Sequence, residues 1–115
     1  MTDTKPIIAV IGGTGNQGSG LAMRWAKAGY PIVLGSRDSG KAEQVASEIA
    51  TMAPAGETWG PVSGTDNLSA ATECDIAVLA VPYSNQMATV TPISNALKSK
   101  LLIDVTAPLV PPKVG

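Results

Sequence analysis

The sequence has 115 residues, a net charge of −1, one cysteine and no histidine. That length supports one domain around one core, and the charge balance leaves no basic footprint for a nucleic-acid partner. With Cys74 alone and no histidine, a His/Cys metal site is excluded, and so are Ser-His-Asp and Cys-His catalytic sites.

No stretch reaches the roughly 20 apolar residues needed to span a bilayer. Met1–Lys5 is polar and leads straight into a strand, so it does not read as a secretory signal. A lone thiol fits a reducing compartment and the role of a small core residue. The expectation is a cytoplasmic protein with no membrane partner.

In chain order, Pro6–Ile11 predicts a first strand, an apolar β-branched run that stops at Gly12 and Gly13. A helix follows over about Asn16–Ala28, with Leu21, Ala22, Trp25 and Ala26 on one face and Gly29 as its stop. Ile32–Leu34 predicts strand two, ending at Gly35-Ser36-Arg37. Ala42, Val45, Ala46, Ile49 and Ala50 mark the apolar stripe of a second helix. Met52–Gly60 reads as a loop, with a weak third strand near Pro61–Ser63 and a short helix at Leu68–Thr72.

Asp75–Val81 reads as a buried strand ended by Pro82. Ser84–Val90 looks helical, and Pro92 fits the first turn of a further helical piece, capped by Thr91 and running to about Lys98. Leu101–Ile103 predicts the last strand, ending at Asp104. The tail to Gly115, with Pro108, Pro111 and Pro112, is irregular. Strands alternate with helices and each strand reads as buried on both faces. This predicts an α/β, Rossmann-type doubly wound parallel sheet of about five strands in a single domain.

Three stretches carry chemistry. Gly13, Gly15 and Gly18 have the G-x-G-x-x-G spacing of a dinucleotide loop, placed between a strand and a helix. The helix N-terminus there suits an anion, and Thr14, Asn16 and Gln17 add side-chain donors that could equally serve turn and cap chemistry. At the end of strand two, an NAD-preferring site would carry an acid for the ribose 2′-OH. Here stand Ser36 and Arg37, with Lys41 one helical turn on, a set suited to a 2′-phosphate and therefore to NADP(H). Asp38 is the objection, because it could accept from the ribose instead. The third stretch, Leu79–Asn85, lies where a doubly wound sheet borders its cofactor crevice. Its small residues leave room for ribose and nicotinamide, while Tyr83 could flank the ring or merely cover the sheet edge. Asp75 and Asp104 lie at strand ends, yet neither has a histidine or a second clustered acid with which to do acid–base work.

Together these residues resemble a known family, the deazaflavin-dependent NADP oxidoreductases, which pass hydride between NADP(H) and coenzyme F-420. The shared marks are GGTGNQGSGLA from Gly12, GSR at Gly35–Arg37, DIAVLAVPY at Asp75–Tyr83 and the spacing from Arg37 to Lys41. The chain is also similar to the reductase domain of the six-transmembrane metalloreductases. The resemblance implies that Thr14–Gln17 hold the pyrophosphate, that Ser36, Arg37 and Lys41 hold the 2′-phosphate, and that Val81, Pro82 and Asn85 border the ribose–nicotinamide end. It implies direct hydride transfer between stacked rings, which needs positioning more than acid–base groups. Family members continue into a segment that completes the deazaflavin pocket and a dimer contact. The expectation is therefore an NADP-binding domain over residues 1–104, a Pro-rich tail over 105–115, and the remaining segment absent, so that activity of this chain alone is in question. The alternative is an NADP(H)-sensing regulatory module without catalysis, since GGTGNQG also resembles the NADP-binding regulators and atypical short-chain reductases. Those usually lack the strand-four ending seen at Ala80–Pro82, which favours the enzyme. A response-regulator-like domain would need acids where strand one ends in glycines.

Overall fold

The computed structural model describes residues 5–80, 86–98 and 100–104. Five strands, β1 (Ile8–Ile11), β2 (Ile32–Ser36), β3 (Val62–Asp66), β4 (Ile76–Leu79) and β5 (Leu101–Asp104), form one sheet in the order β3-β2-β1-β4-β5. Every pairing is parallel, and Ile8, Ala9, Val10 and Ile11 of β1 lie opposite Ile32–Gly35 on one side and Ile76–Leu79 on the other. The chain winds outward through β2 and β3, then returns past β1 to lay down β4. The strand order thus reverses between β1 and β4, where ligands of open α/β sheets collect.

Helices cover both faces. On one, α1 (Asn16–Lys27) and α2 (Ser39–Ala50) pack on Ile8, Val10, Ile32, Leu34 and Val78. On the other, α3 (Asn67–Glu73) and a 3₁₀ turn, Thr91–Ile93, pack on Ala9, Ile11, Val33, Ala77 and Leu79. Alternate residues of each inner strand therefore feed opposite cores, as a period of two requires. Burying each of Val10, Ile11, Ile32, Leu34 and Val78, all essentially inaccessible, is worth about 1.5–3 kcal/mol. The helices press close because their contact residues are small: Ala22 and Ala26 on α1, Ala42 and Ala46 on α2, Ala70 and Ala71 on α3. At Gly64 of β3 even a Cβ would run into the Ala42 carbonyl.

The stop at Gly29 forms as expected. Gly29 has φ +101° and its N–H bonds the Ala26 carbonyl at 2.9 Å, while Tyr30 N–H bonds the Trp25 carbonyl at 3.0 Å. This paired arrangement satisfies the last carbonyls of α1. Asp75 stands just before β4, where its carboxylate accepts from Ile7 N–H at 2.9 Å and its own N–H bonds the Ile7 carbonyl at 2.9 Å. It locks the entry of β1 and is a structural acid, as is the partner-bonded Asp66 that caps α3. Cys74 is buried in the core, its thiol donating to the Ala71 carbonyl at 3.3 Å, and burial pushes that thiol's pKa up.

Several expectations need correction. β3 runs to Asp66, beyond the Pro61–Ser63 expected, and α3 spans Asn67–Glu73. Neither outer strand is buried on both faces: β3 is half-exposed, and Leu101 of β5 is 60% exposed. Both hold sheet edges, where one neighbour is missing. Ala50 is exposed rather than part of the buried stripe of α2. The piece after Val90 is not an α-helix capped by Thr91. The short helix α4 (Gln86–Val90) runs straight into the 3₁₀ turn, Val90 is itself helical, and Thr91 lies inside the turn. Pro92 has no N–H to donate, and the following bonds all span three residues, such as Ala96 N–H to the Ile93 carbonyl at 3.0 Å.

Candidate functional site

The carboxyl ends of β1 and β2 meet in a tight turn. Gly12 takes φ +76°, a left-handed conformation that favours glycine, and the N–H groups of Gly12 and Gly13 both bond the Gly35 carbonyl at 2.9 Å. The left-handed residue is thus Gly12, one position before the three-glycine spacing. Gly13 serves approach: a Cβ there would lie 2.8 Å from the Val10 carbonyl and 2.9 Å from Leu34 Cδ2. Gly18 serves packing, since its Cβ would lie 2.9 Å from Gly13 Cα and 3.2 Å from Ala80 Cβ. Gly15 differs from both. The nearest atom to its Cβ position is the Gly12 carbonyl oxygen at 3.9 Å, so that side of the turn is open.

Gly15 also occupies the N-cap of α1, where it offers no side-chain cap, and the first turn carries no acid. The other two long ends are closed by carboxylates: Asp38 accepts from Lys41 N–H at the start of α2, and Asp66 from Ser69 N–H at the start of α3. The start of α1 therefore lacks a side-chain cap from its N-cap residue and presents the positive end of its dipole.

This end of α1 opens into a cleft of about 430 Å³, bordered by Thr14 and Gly15 on one side and Ser36, Arg37 and Lys41 on the other. Ser36 is buried to 8% exposure at the end of β2, and its hydroxyl oxygen accepts from Asp38 N–H at 3.1 Å. Its own O–H remains as a donor. Arg37 and Lys41 are exposed, and with the exposed Asp38 and the hydroxyl of Ser36 they line this corner of the cleft. Arg37 also borders a second space of about 300 Å³, walled by Leu68, Ala88, Pro92 and Ile93.

The structure thus brings Thr14, Gly15, Ser36, Arg37 and Lys41 to one cleft, and places Gly13 and Gly18 beneath it as packing residues. Asn16 and Gln17 open α1, and their side chains lie outside the described residues, as do Val81, Pro82, Tyr83 and Asn85. Ala80, the last described residue of that stretch, lines the cleft. Two lining residues went unnoticed in the sequence, Asn67 and Thr89. Asn67 Oδ1 accepts from Gly12 N–H at 3.4 Å and rests over Gly35, where a Cβ would come within 2.7 Å of it. Asn67 directly follows β3, whose true end at Asp66 the sequence did not show, and Thr89 carried no signal.

An open glycine at an uncapped helix start, facing a hydroxyl and two cations, fits a dinucleotide with an extra phosphate on its ribose. The family model "NADP oxidoreductase coenzyme F420-dependent" matches residues 7–108. The chain belongs to this family. F420-dependent NADP reductases of Methanothermobacter marburgensis and Methanothermobacter thermautotrophicus are 45% and 46% identical to it over 102 residues. Those matches cover 89% of this chain but only 45% and 43% of the relatives, so the chain spans less than half their length. Lactate dehydrogenase from Cryptosporidium parvum superposes with a TM-score of 0.74 at 21% identity, covering 94% of this chain and 39% of that one, which shows the Rossmann fold.

Proposed function

We propose that this chain binds NADP(H) and forms the cofactor side of an oxidoreductase that exchanges hydride with a deazaflavin, coenzyme F420. The observation that carries the reading is the corner of Ser36, Arg37 and Lys41 on the same cleft as the uncapped start of α1. The curated relatives named F420-dependent NADP reductases support the acceptor.

In this reading Thr14, Gly15 and the first N–H groups of α1 at Asn16 and Gln17 hold the pyrophosphate. Gly13 and Gly18 keep the turn close to the sheet. Ser36 donates its hydroxyl proton to the 2′-phosphate, and Arg37 and Lys41 neutralise it. Ala80 leaves room beside the strand end, and Val81, Pro82 and Asn85 border the ribose and nicotinamide. When bound, the nicotinamide supplies or accepts the hydride. This chain's residues bind and orient, a task that needs no histidine.

Residues 1–104 act as the NADP-binding domain and 105–115 as the tail beyond it. The partners are small molecules, and a homodimer is compatible with the family resemblance. Net charge −1 supports the absence of a nucleic-acid partner. Among the described residues no helix is long and apolar enough to cross a membrane, and the single buried cysteine is in keeping with the cytoplasm. No observation favours the sensing alternative.

Arg37→Ala tests the assignment. Losing a charge-assisted bond should weaken NADPH by about 1.5–3 kcal/mol, while NADH changes little. Equal loss for both cofactors would remove the 2′-phosphate from this corner.

A further inference from the structure

We propose that Asp38 sets the strength of the cofactor preference: its carboxylate closes the start of α2 from inside the anion corner and weakens the hold on a 2′-phosphate. This rests on the reading of Ser36, Arg37 and Lys41 as the 2′-phosphate site. The sequence left Asp38 with another role, as acceptor for a ribose hydroxyl.

The geometry points away from that role. Asp38 N–H donates to Ser36 Oγ at 3.1 Å, Lys41 N–H donates to Asp38 Oδ1 at 3.2 Å, and Ala42 N–H donates to the Asp38 carbonyl at 3.1 Å. The same carboxylate oxygen lies 3.4 Å from where a Cβ on Gly40 would sit, directly over the first turn of α2. Its negative charge meets the positive end of the helix there, which stabilises both. The oxygen Oδ1 is thus engaged at the helix start rather than offered to a ribose.

Asp38 nevertheless lines the cleft with Ser36, Arg37 and Lys41, and it is exposed there. An anion entering the corner meets two cations and one carboxylate. The residue that holds the loop in shape therefore opposes the ligand by like-charge repulsion.

Cap and charge can be separated, because Asn and Ser cap a helix about as well as Asp. Asp38→Asn and Asp38→Ser should keep the loop and remove the repulsion. Titration calorimetry with NADP+ and NAD+ on the full chain gives the readout. Both variants should tighten NADP+ by about 3–10-fold and move NAD+ by less than about twofold, with the gain shrinking as salt rises. Selective loss of NAD+ would mean that Asp38 reads the ribose hydroxyls, and would overturn the proposal. Unchanged NADP+ affinity, or equal weakening of both cofactors, would overturn it too. A native protein without any preference would overturn the 2′-phosphate reading itself, and this proposal with it. A native preference that both variants leave intact overturns only the role of Asp38.

Discussion

Gly18 and Gly20 lie two residues apart in α1, and alanine should act on them with opposite sign. A Cβ at Gly18 would lie 2.9 Å from Gly13 Cα, 3.1 Å from the Gly12 carbonyl oxygen and 3.2 Å from Ala80 Cβ. Two of the three are backbone atoms of the cofactor turn, which cannot rotate aside. Overpacking of this kind costs about 1–3 kcal/mol, against a helical gain of about 0.5–1 kcal/mol for replacing glycine. Gly18→Ala should therefore destabilise the fold by up to about 2.5 kcal/mol and push the turn off its seat, weakening NADP(H). At Gly20 nothing lies within 4 Å of the added Cβ. Gly20→Ala should keep the whole helical gain, raising stability by about 0.5–1 kcal/mol and Tm by several degrees. Urea unfolding followed by circular dichroism measures both. Equal stability of the two variants would refute the close seating of α1 on the turn and on Ala80.

Two predictions concern titrating groups. Asp66 is held below the usual carboxylate pKa, first by the Ser69 N–H and then by the Ser69 hydroxyl. Its contribution to stability is present above the unfolded value and is lost as pH falls through the folded one. The stability difference between native protein and Asp66→Asn should be constant near neutrality, begin to shrink near about pH 4 and vanish once the pH lies below the lowered folded value; a difference persisting to the lowest pH would contradict this cap. For Cys74, burial raises the thiol pKa, partly offset by the nearby Lys100 charge. Its neutral form is favoured in the fold, a contribution present below the free-thiol pKa and lost as pH rises past it. Iodoacetamide should react with the native protein at least about a hundredfold more slowly than with the urea-unfolded chain, and comparable rates would place the thiol outside the core.

The inner half of the fold was legible because its signals are strong. β1, β2 and β4 are apolar runs, and α1 and α2 carry stripes at helical spacing that bury Ala22, Ala26, Ala42, Ala46 and Ile49. β3 was not, since Ser63, Gly64, Thr65 and Asp66 form a half-exposed edge that needs no apolar run and seats α2 through a missing Cβ. The turn after Val90 misled because a threonine before a proline looks like a helix start until the preceding residues prove helical too. That Ser36, Arg37 and Lys41 share one cleft was readable from their place at and just beyond the end of β2. Asp38 was ambiguous because a cap and a ribose acceptor use the same carboxylate, and the bond from Lys41 N–H to Oδ1 shows its part in the cap. Asn67 reaches the Gly12 turn across 55 residues of sequence, a contact that parallel pairing of the strands creates and that no local pattern announces.

The most direct test of the NADP(H) assignment is a pair of dissociation constants. NADP+ and NAD+ should be titrated calorimetrically into the unmodified protein at one ionic strength near about 0.1 M, because the discriminating contact is a salt-sensitive charge pair. A cleft built by Ser36, Arg37 and Lys41 for a 2′-phosphate should bind NADP+ at least about tenfold more tightly. Equal constants, or tighter NAD+, would contradict it.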